Sequence, residues 1–299
     1  MTWARAGLQF ARQVLHGFSQ CGFQASATAG LLFVLAVAVF NWRMAVFFVV
    51  STVVGTFVAR ALKGNADLLD LGHFGFNSAL MGLALGCYYE PTPALWLWMP
   101  ILAAVTAAVT VAMSKWMRLP FLGAPFILTL WAVWPFGQTL GLTQVESMGF
   151  SAAPVVWGTA VASALGSALL APDIFTGLLF LTGLLLSNWR HGLVAVLGAF
   201  TAVTLAAQGG APGAAVNSGF VGFNGVLAAL AAYIIIGADL RLVVLASVLS
   251  TWLASYVHRD APVPVLASGF VVAIWLMLLL GWLSPRFAGN QRTTEADRG

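Results

Sequence analysis

Charge is what this sequence has least of. Asp, Glu, Lys and Arg make up 7% of its 299 residues, against 61% hydrophobic, whereas a soluble domain carries about 25% charged residues. Such a chain cannot cover a water-facing surface, which excludes an ordinary soluble domain and points to the bilayer as its solvent. Cysteine is nearly absent too. Cys21 and Cys87 both lie in apolar surroundings, read as small buried hydrophobes, and no Cys or His spacing suits a metal. The net charge of +4 is scattered, with no basic run, which excludes a nucleic-acid surface. A signal-peptide pattern is missing as well: Arg5 and Arg12 interrupt the first apolar stretch and no small-residue cleavage site follows.

What is present is a series of long charge-free intervals. They run 13–42, 44–59, 71–89, 91–114 and 119–145, then 147–172, 174–189, 191–238, 242–258 and 261–285. A membrane-crossing helix needs about 20 apolar residues, and an ionisable side chain at the bilayer centre costs roughly 2.5–3.5 kcal/mol on insertion scales. The intervals therefore predict about ten spans plus shorter re-entrant pieces. Arg5, Arg12, Arg286, Arg292 and Arg298 put both termini in the cytoplasm by the positive-inside rule. Residues 286–299 read as a polar cytoplasmic tail. Trp3, Trp42, Trp96, Trp98, Trp116 and Trp189 fit an aromatic belt.

The chain also repeats itself. Gly30-Leu31-Leu32-Phe33, Asn41-Trp42-Arg43 and Gly75-Phe76-Asn77 recur 147 residues later as Gly177-Leu178-Leu179-Phe180, Asn188-Trp189-Arg190 and Gly222-Phe223-Asn224. Pro120, Phe126 and Trp131 match Pro264, Phe270 and Trp275 at an offset of 144. A unit of 147 residues has been duplicated, with three residues lost late in the second copy. With five spans in each copy, an odd number, the halves 1–147 and 148–285 enter the membrane in opposite senses. Transport proteins built this way hold substrate at the midplane between the halves.

Each Gly-Phe-Asn stands before a run of small residues, Ser78 to Gly86 and Gly225 to Leu230. Both read as helix starts within the membrane, with Asn as a capping residue. Irregular backbone at that depth needs protein or a polar cavity around it. A lone Phe here would pack against lipid or core; two at matched positions beside helix breaks favour a shared wall. Asp67 and Asp70 are expected to cap a helix start. Asp173, Asp239 and Asp260 read as interfacial charges. His16, His73, His191 and His258 form no ligand pair, and His73 alone lies beside a pore motif.

These paired motifs, the Leu119-Pro-Phe-Leu-Gly-Ala-Pro-Phe126 stretch, and Ser19-Gln20 followed by Phe23 resemble the urea transporter family over nearly the whole chain. The resemblance implies an all-α polytopic membrane protein with ten transmembrane helices and two half-spanning helices in two inverted repeats. It further implies a homotrimer in a bacterial inner membrane, with one passive urea pore per protomer and no cofactor or enzymatic activity. Carried over by position, Phe76 and Phe223 are slot-wall aromatics and Leu80 and Leu227 narrow the centre. Gln20 and Phe23 line one mouth, and Thr129 offers a hydroxyl near the middle. At the matching places the second copy has Ser167, Leu170 and Ala273. That half has thus lost an amide, an aromatic ring and a hydroxyl.

The physics suits urea, which is flat, neutral and strongly hydrated. Moving one amide-like group from water to hydrocarbon costs roughly 4–8 kcal/mol. A slot that lays rings on its faces and oxygens on its edges replaces that hydration. A channel for another small neutral or weakly basic solute, such as a short amide or ammonia, is the alternative. Coupled transport ranks below both, because it usually needs an intramembrane ion site. An enzyme ranks last, for want of a nucleophile–base pair.

Overall fold

A computed structural model describes residues 3–146, 150–257 and 262–283. The side chain of Trp3, residues His258 and Asp260, the junction at residues 147 and 148, and the 286–299 tail with its three arginines lie outside the described part. Among the described residues the fold is all-helical, and the one extended pairing is an isolated bridge between Tyr89 and Gln144.

Fourteen α-helices make up the described structure, and they fall into two runs of seven. The first run is α1 (Trp3–Ser19), α2 (Ala27–Phe40), α3 (Trp42–Ala61), α4 (Ala66–Asp70), α5 (Gly75–Tyr88), α6 (Pro93–Trp116) and α7 (Ala124–Val133). The second is α8 (Trp157–Ser167), α9 (Ile174–Ser187), α10 (Trp189–Gln208), α11 (Gly213–Asn217), α12 (Phe223–Ala231), α13 (Leu240–Trp252) and α14 (Ser268–Leu283). The bounds of α9, α10 and α11 are those of α2, α3 and α4 moved by 147 residues. In α6 and α13 the register changes. Met99, Leu102, Ala103, Thr106 and Ala107 are buried, and so are Val243, Ala246, Ser247, Ser250 and Thr251, each 144 residues on. Both helices nonetheless begin 147 residues apart. The three missing residues are therefore one turn at the start of α13.

Among the described residues three helices, α3, α6 and α10, are each long and apolar enough to cross a membrane. The pair Arg5–Gly22 and Ala27–Phe40 passes the same test jointly, bent by 69°. The other charge-free intervals hold shorter apolar helices, including α9 and α14. The outer surface is apolar: Leu97, Phe175, Leu186 and Leu280 all stand exposed. Water would not tolerate such a surface, but lipid does. This is a helical membrane protein.

Local chemistry sets where helices start. Asn41 accepts from the Arg43 and Met44 amides to begin α3, and Asn188 accepts from the Arg190 amide to begin α10. Each following Arg lies over its own Trp, Arg43 on Trp42 at 5.5 Å and Arg190 on Trp189 at 5.6 Å. Trp42 and Trp189 are exposed, as is Trp116, in keeping with a belt. Trp98 differs: it is half-buried and donates to the Leu140 carbonyl. Asp173 and Asp239 cap α9 and α13. Asn65, not an aspartate, caps α4.

Close packing needs glycine in two matched places. A Cβ on Gly30 would collide with the Leu15 carbonyl, and one on Gly177 with the Ala162 carbonyl. These contacts press α2 onto α1 and α9 onto α8. Between the two runs, α2 packs on α9, where Phe33 stacks on its own counterpart Phe180 with centroids 4.6 Å apart. Two indoles repeat the reciprocity: Trp131 donates to the Pro264 carbonyl and Trp275 to the Pro120 carbonyl, both at 2.8 Å.

Candidate permeation site

The site is built on broken helices. After α1 the chain makes a 3-10 turn over Gln20–Gly22, and Phe23 then adopts a left-handed conformation, φ 59°. The Ser19 hydroxyl fixes this turn by donating to the Gln24 carbonyl and accepting from the Ser26 amide. Leu170, 147 residues on, has φ 53°, and Leu122 and Leu266 form a second matched pair at 47° and 49°. Bulky residues rarely adopt such angles, which cost about 1–3 kcal/mol each, so the surroundings must hold them there.

For the second pair the holding group is visible. Asn77 donates to the Leu122 carbonyl at 3.0 Å and accepts from the Phe126 amide at 3.2 Å. Asn224 does the same with the Leu266 carbonyl and the Phe270 amide, both at 3.0 Å. Each Asn therefore caps a helix as the sequence suggests, but the helix is another one, α7 or α14. Phe126 and Phe270 lie in the first turns of those helices, where amides have no acceptor within the helix. The buried amide fills that gap and locks the strained leucine beside it.

Next to the first clamp lies a cavity of about 510 Å³, lined by Gln20, Phe23, His73, Phe76, Phe121 and Ile235, among others. Gln20 donates its amide N–H to the Leu71 carbonyl at 2.8 Å. The rings of Phe76 and Phe121 stack with centroids 6.3 Å apart and planes at 24°, and His73 meets Phe121 edge-on. Phe23 meets Phe270 of the second run edge-on at 6.1 Å. A cavity of about 680 Å³ is lined by Tyr88, Gln144, Glu146 and Pro264. Its Tyr88 and Pro264 are the counterparts of Ile235 and Pro120 in the first cavity.

Of the ten residues singled out from sequence, three, Gln20, Phe23 and Phe76, thus meet in one cavity. Leu80, Thr129, Ser167, Leu170, Phe223, Leu227 and Ala273 are buried in the interior. Phe223 meets Phe220 edge-on at 6.5 Å. Thr129 donates to the Pro125 carbonyl and Ser167 to the Ser163 carbonyl. Each hydroxyl proton is committed to its own helix, so towards a solute either oxygen can only accept. Phe121 was not singled out. Its place in the Leu-Pro-Phe-Leu stretch marked the loop but not the ring.

At the rim Asp70 does not cap a helix. Its carboxylate accepts from Gln9 and Gln13 and pairs with Arg12 at 3.7 Å. Those bonds, Gln13 first, hold its carboxyl below the usual carboxylate range. The Asp70 carbonyl meets His16, and the next carbonyl, that of Leu71, receives Gln20. The polar cluster thereby positions the cavity's amide. Among the described residues no group of His, Cys, Asp and Glu could hold a metal ion.

Two matched clamps, two matched left-handed pairs and an aromatic cavity make up the site, and a sequence model of the urea transporters matches residues 11–282. The chain belongs to the urea transporter family. It is similar to urea transporter 1 of sheep, Ovis aries, at 28% identity over 242 residues, covering 75% of this chain and 63% of the relative. It is likewise 28% identical to urea transporter 1 of the rat, Rattus norvegicus, over 304 residues, covering 93% and 79%. The chain thus spans less than two thirds of the sheep transporter's length. For this urea transporter family member, identity at that level carries the family; the solute needs its own argument.

Proposed function

We propose that this protein is a passive urea channel whose path runs between the two helix runs, past Phe76, Leu80, Leu227 and Phe223. The observation that carries the reading is the 510 Å³ cavity. Stacked rings suit a flat solute's faces, an amide suits its edge, and the described lining includes no carboxylate. Thr129 and Ser167 add acceptor oxygens for urea N–H groups. Halves 1–147 and 148–285 are inverted in the membrane, which the reciprocal Phe33–Phe180 and Trp–Pro contacts support. The protein acts as a homotrimer in a bacterial inner membrane, both termini cytoplasmic, and catalyses no reaction.

A second reading, a channel for a short amide or ammonia, draws on the asymmetry between copies. Leu170 and Ala273 offer no polar group where Phe23 and Thr129 stand, and Ser167 replaces the Gln20 amide. Liposomes containing the purified protein decide between these readings. Urea should equilibrate faster than in empty vesicles, without ATP or an ion gradient. Accumulation of urea that collapses with a protonophore would overturn the passive reading. Methylammonium or acetamide flux far above that of urea would favour the second.

A further inference from the structure

The two copies differ in packing beside the loop that precedes each Gly-Phe-Asn motif. In the first copy Ala59, Leu69, Phe74 and Val111 form a small separate core, with Leu68 against it. Phe74 is fully buried, and its ring is in contact range of any Cβ on Gly64. In the second copy two of these side chains are trimmed together: Phe74 becomes Val221 and Leu68 becomes Ala215. A cavity of about 570 Å³ stands there, lined by Leu205, Ala206, Ala215, Val221, Thr251 and Ser255, among others. Two hydroxyls have been gained at the same place, since Thr251 and Ser255 replace Ala107 and Val111.

Random loss of side-chain bulk would leave an apolar void. Here bulk is lost while polarity is gained. Buried threonines of α6 donate to their own helix, Thr106 to the Leu102 carbonyl and Thr110 to the Thr106 carbonyl. Thr251 is 1% exposed and its hydroxyl lies against Gly225 of α12, whereas Ser255 is half-buried and lines the cavity. The volume also fits a ligand site, since such pockets run from about 300 to 1,000 Å³.

We infer that the second copy carries a binding site for a small neutral molecule with one aromatic ring and one hydrogen-bonding group. Its ring takes the place that the Phe74 ring takes in the first copy, and its polar group meets Ser255, the hydroxyl that the cavity exposes. The ligand abuts the second Gly-Phe-Asn motif, because Val221 immediately precedes Gly222. It therefore bears on the start of α12, the helix that carries Phe223. This site needs no assumption about which solute permeates.

The test uses 4-fluorophenol and the full-length protein in nanodiscs, read by the fluorine resonance of the bound probe. The parent should bind it saturably. Val221→Phe, which restores the ring of the first copy, should weaken binding more than about ten-fold, and Val221→Leu should fall between. Ser255→Ala should weaken 4-fluorophenol about two- to ten-fold, the worth of one hydrogen bond, and leave fluorobenzene unchanged. Unsaturable partitioning in the parent would overturn the inference, as would equal binding by parent and Val221→Phe. Should Val221→Phe fail to assemble, parent-like binding by Val221→Leu together with an unchanged Ser255→Ala would overturn it equally.

Discussion

Replacing Asn77 with Ala should destabilise this protein more than removing any other single buried polar side chain of the first copy. The substitution deletes one donor and one acceptor, at 3.0 and 3.2 Å. It strands the Leu122 carbonyl and the Phe126 amide, both backbone groups in a buried place. An unsatisfied buried group costs about 1–3 kcal/mol, although hydrogen bonds measured within membrane proteins average only about 0.6 kcal/mol. The Phe126 amide has no helical alternative, so the larger figure applies to it and the smaller to the carbonyl. The expected loss is about 2–4 kcal/mol. Ser78→Ala is the comparison, because Ser78 only adds a bond to the Ala103 carbonyl, and should cost about 0.6–1 kcal/mol. The assay is reversible unfolding by denaturing detergent in mixed micelles, with urea flux in liposomes beside it. Asn77→Ala should also impair flux, since released strain at Leu122 moves the loop that carries Phe121. Equal stability of the two variants, with flux intact, would refute the clamp.

Asn224→Ala should match Asn77→Ala in stability loss to within about 1 kcal/mol, because its two bonds repeat the same geometry. Phe76→Ala and Phe223→Ala should each lower urea flux or selectivity in liposomes while assembly persists; parent-like flux in both would remove these rings from the path. Ala273→Thr should raise the ratio of urea to methylurea flux, and an unchanged ratio would show that position 273 does not touch the solute. Asp70 stabilises the fold above the ordinary carboxylate pKa of 3.8 and ceases to do so as pH falls through its depressed folded value. Asp70→Asn should therefore flatten the acid limb of a stability–pH curve, measured by thermal unfolding, while leaving the slope between pH 6 and 8 alone.

Composition and repetition made the fold class legible. A chain with so few charges has one available solvent, and the repeated Asn-Trp-Arg marked equivalent places in the two copies, where the structure starts α3 and α10. The length of individual helices was not legible, because charge-free intervals say where a span can lie but not where a helix breaks. The break at Gln20–Gly22 depends on the Ser19 hydroxyl bonding five and seven residues ahead, which no periodicity reveals. Asn77 was recognisable as a capping residue, but its partner lies 45 and 49 residues away. The same distance hid Phe121, whose ring matters only once its loop folds over Phe76. Asp70 misled for a related reason: an acid before a helix reads as a cap unless Gln9, Arg12 and Gln13 are seen to converge on it.

Duplication explains which features changed and which did not. Contacts that a repeat makes with its own counterpart are doubly constrained, since one substitution alters both sides of a reciprocal interface. Phe33 and Phe180, and Trp131 and Trp275, survive in both copies, and so do the two Asn clamps that each copy makes within itself. Positions that face a cavity or stand apart from the axis have no such partner. There the copies have diverged: Gln20 against Ser167, Phe23 against Leu170, Thr129 against Ala273, and Phe74 against Val221. Conserved pairs thus report what the fold needs twice, and unlike pairs report where each half has taken up its own chemistry. By that rule the proposed urea path would present different edges in the two halves, and the cavity beside Val221 is chemistry that the second half has taken up.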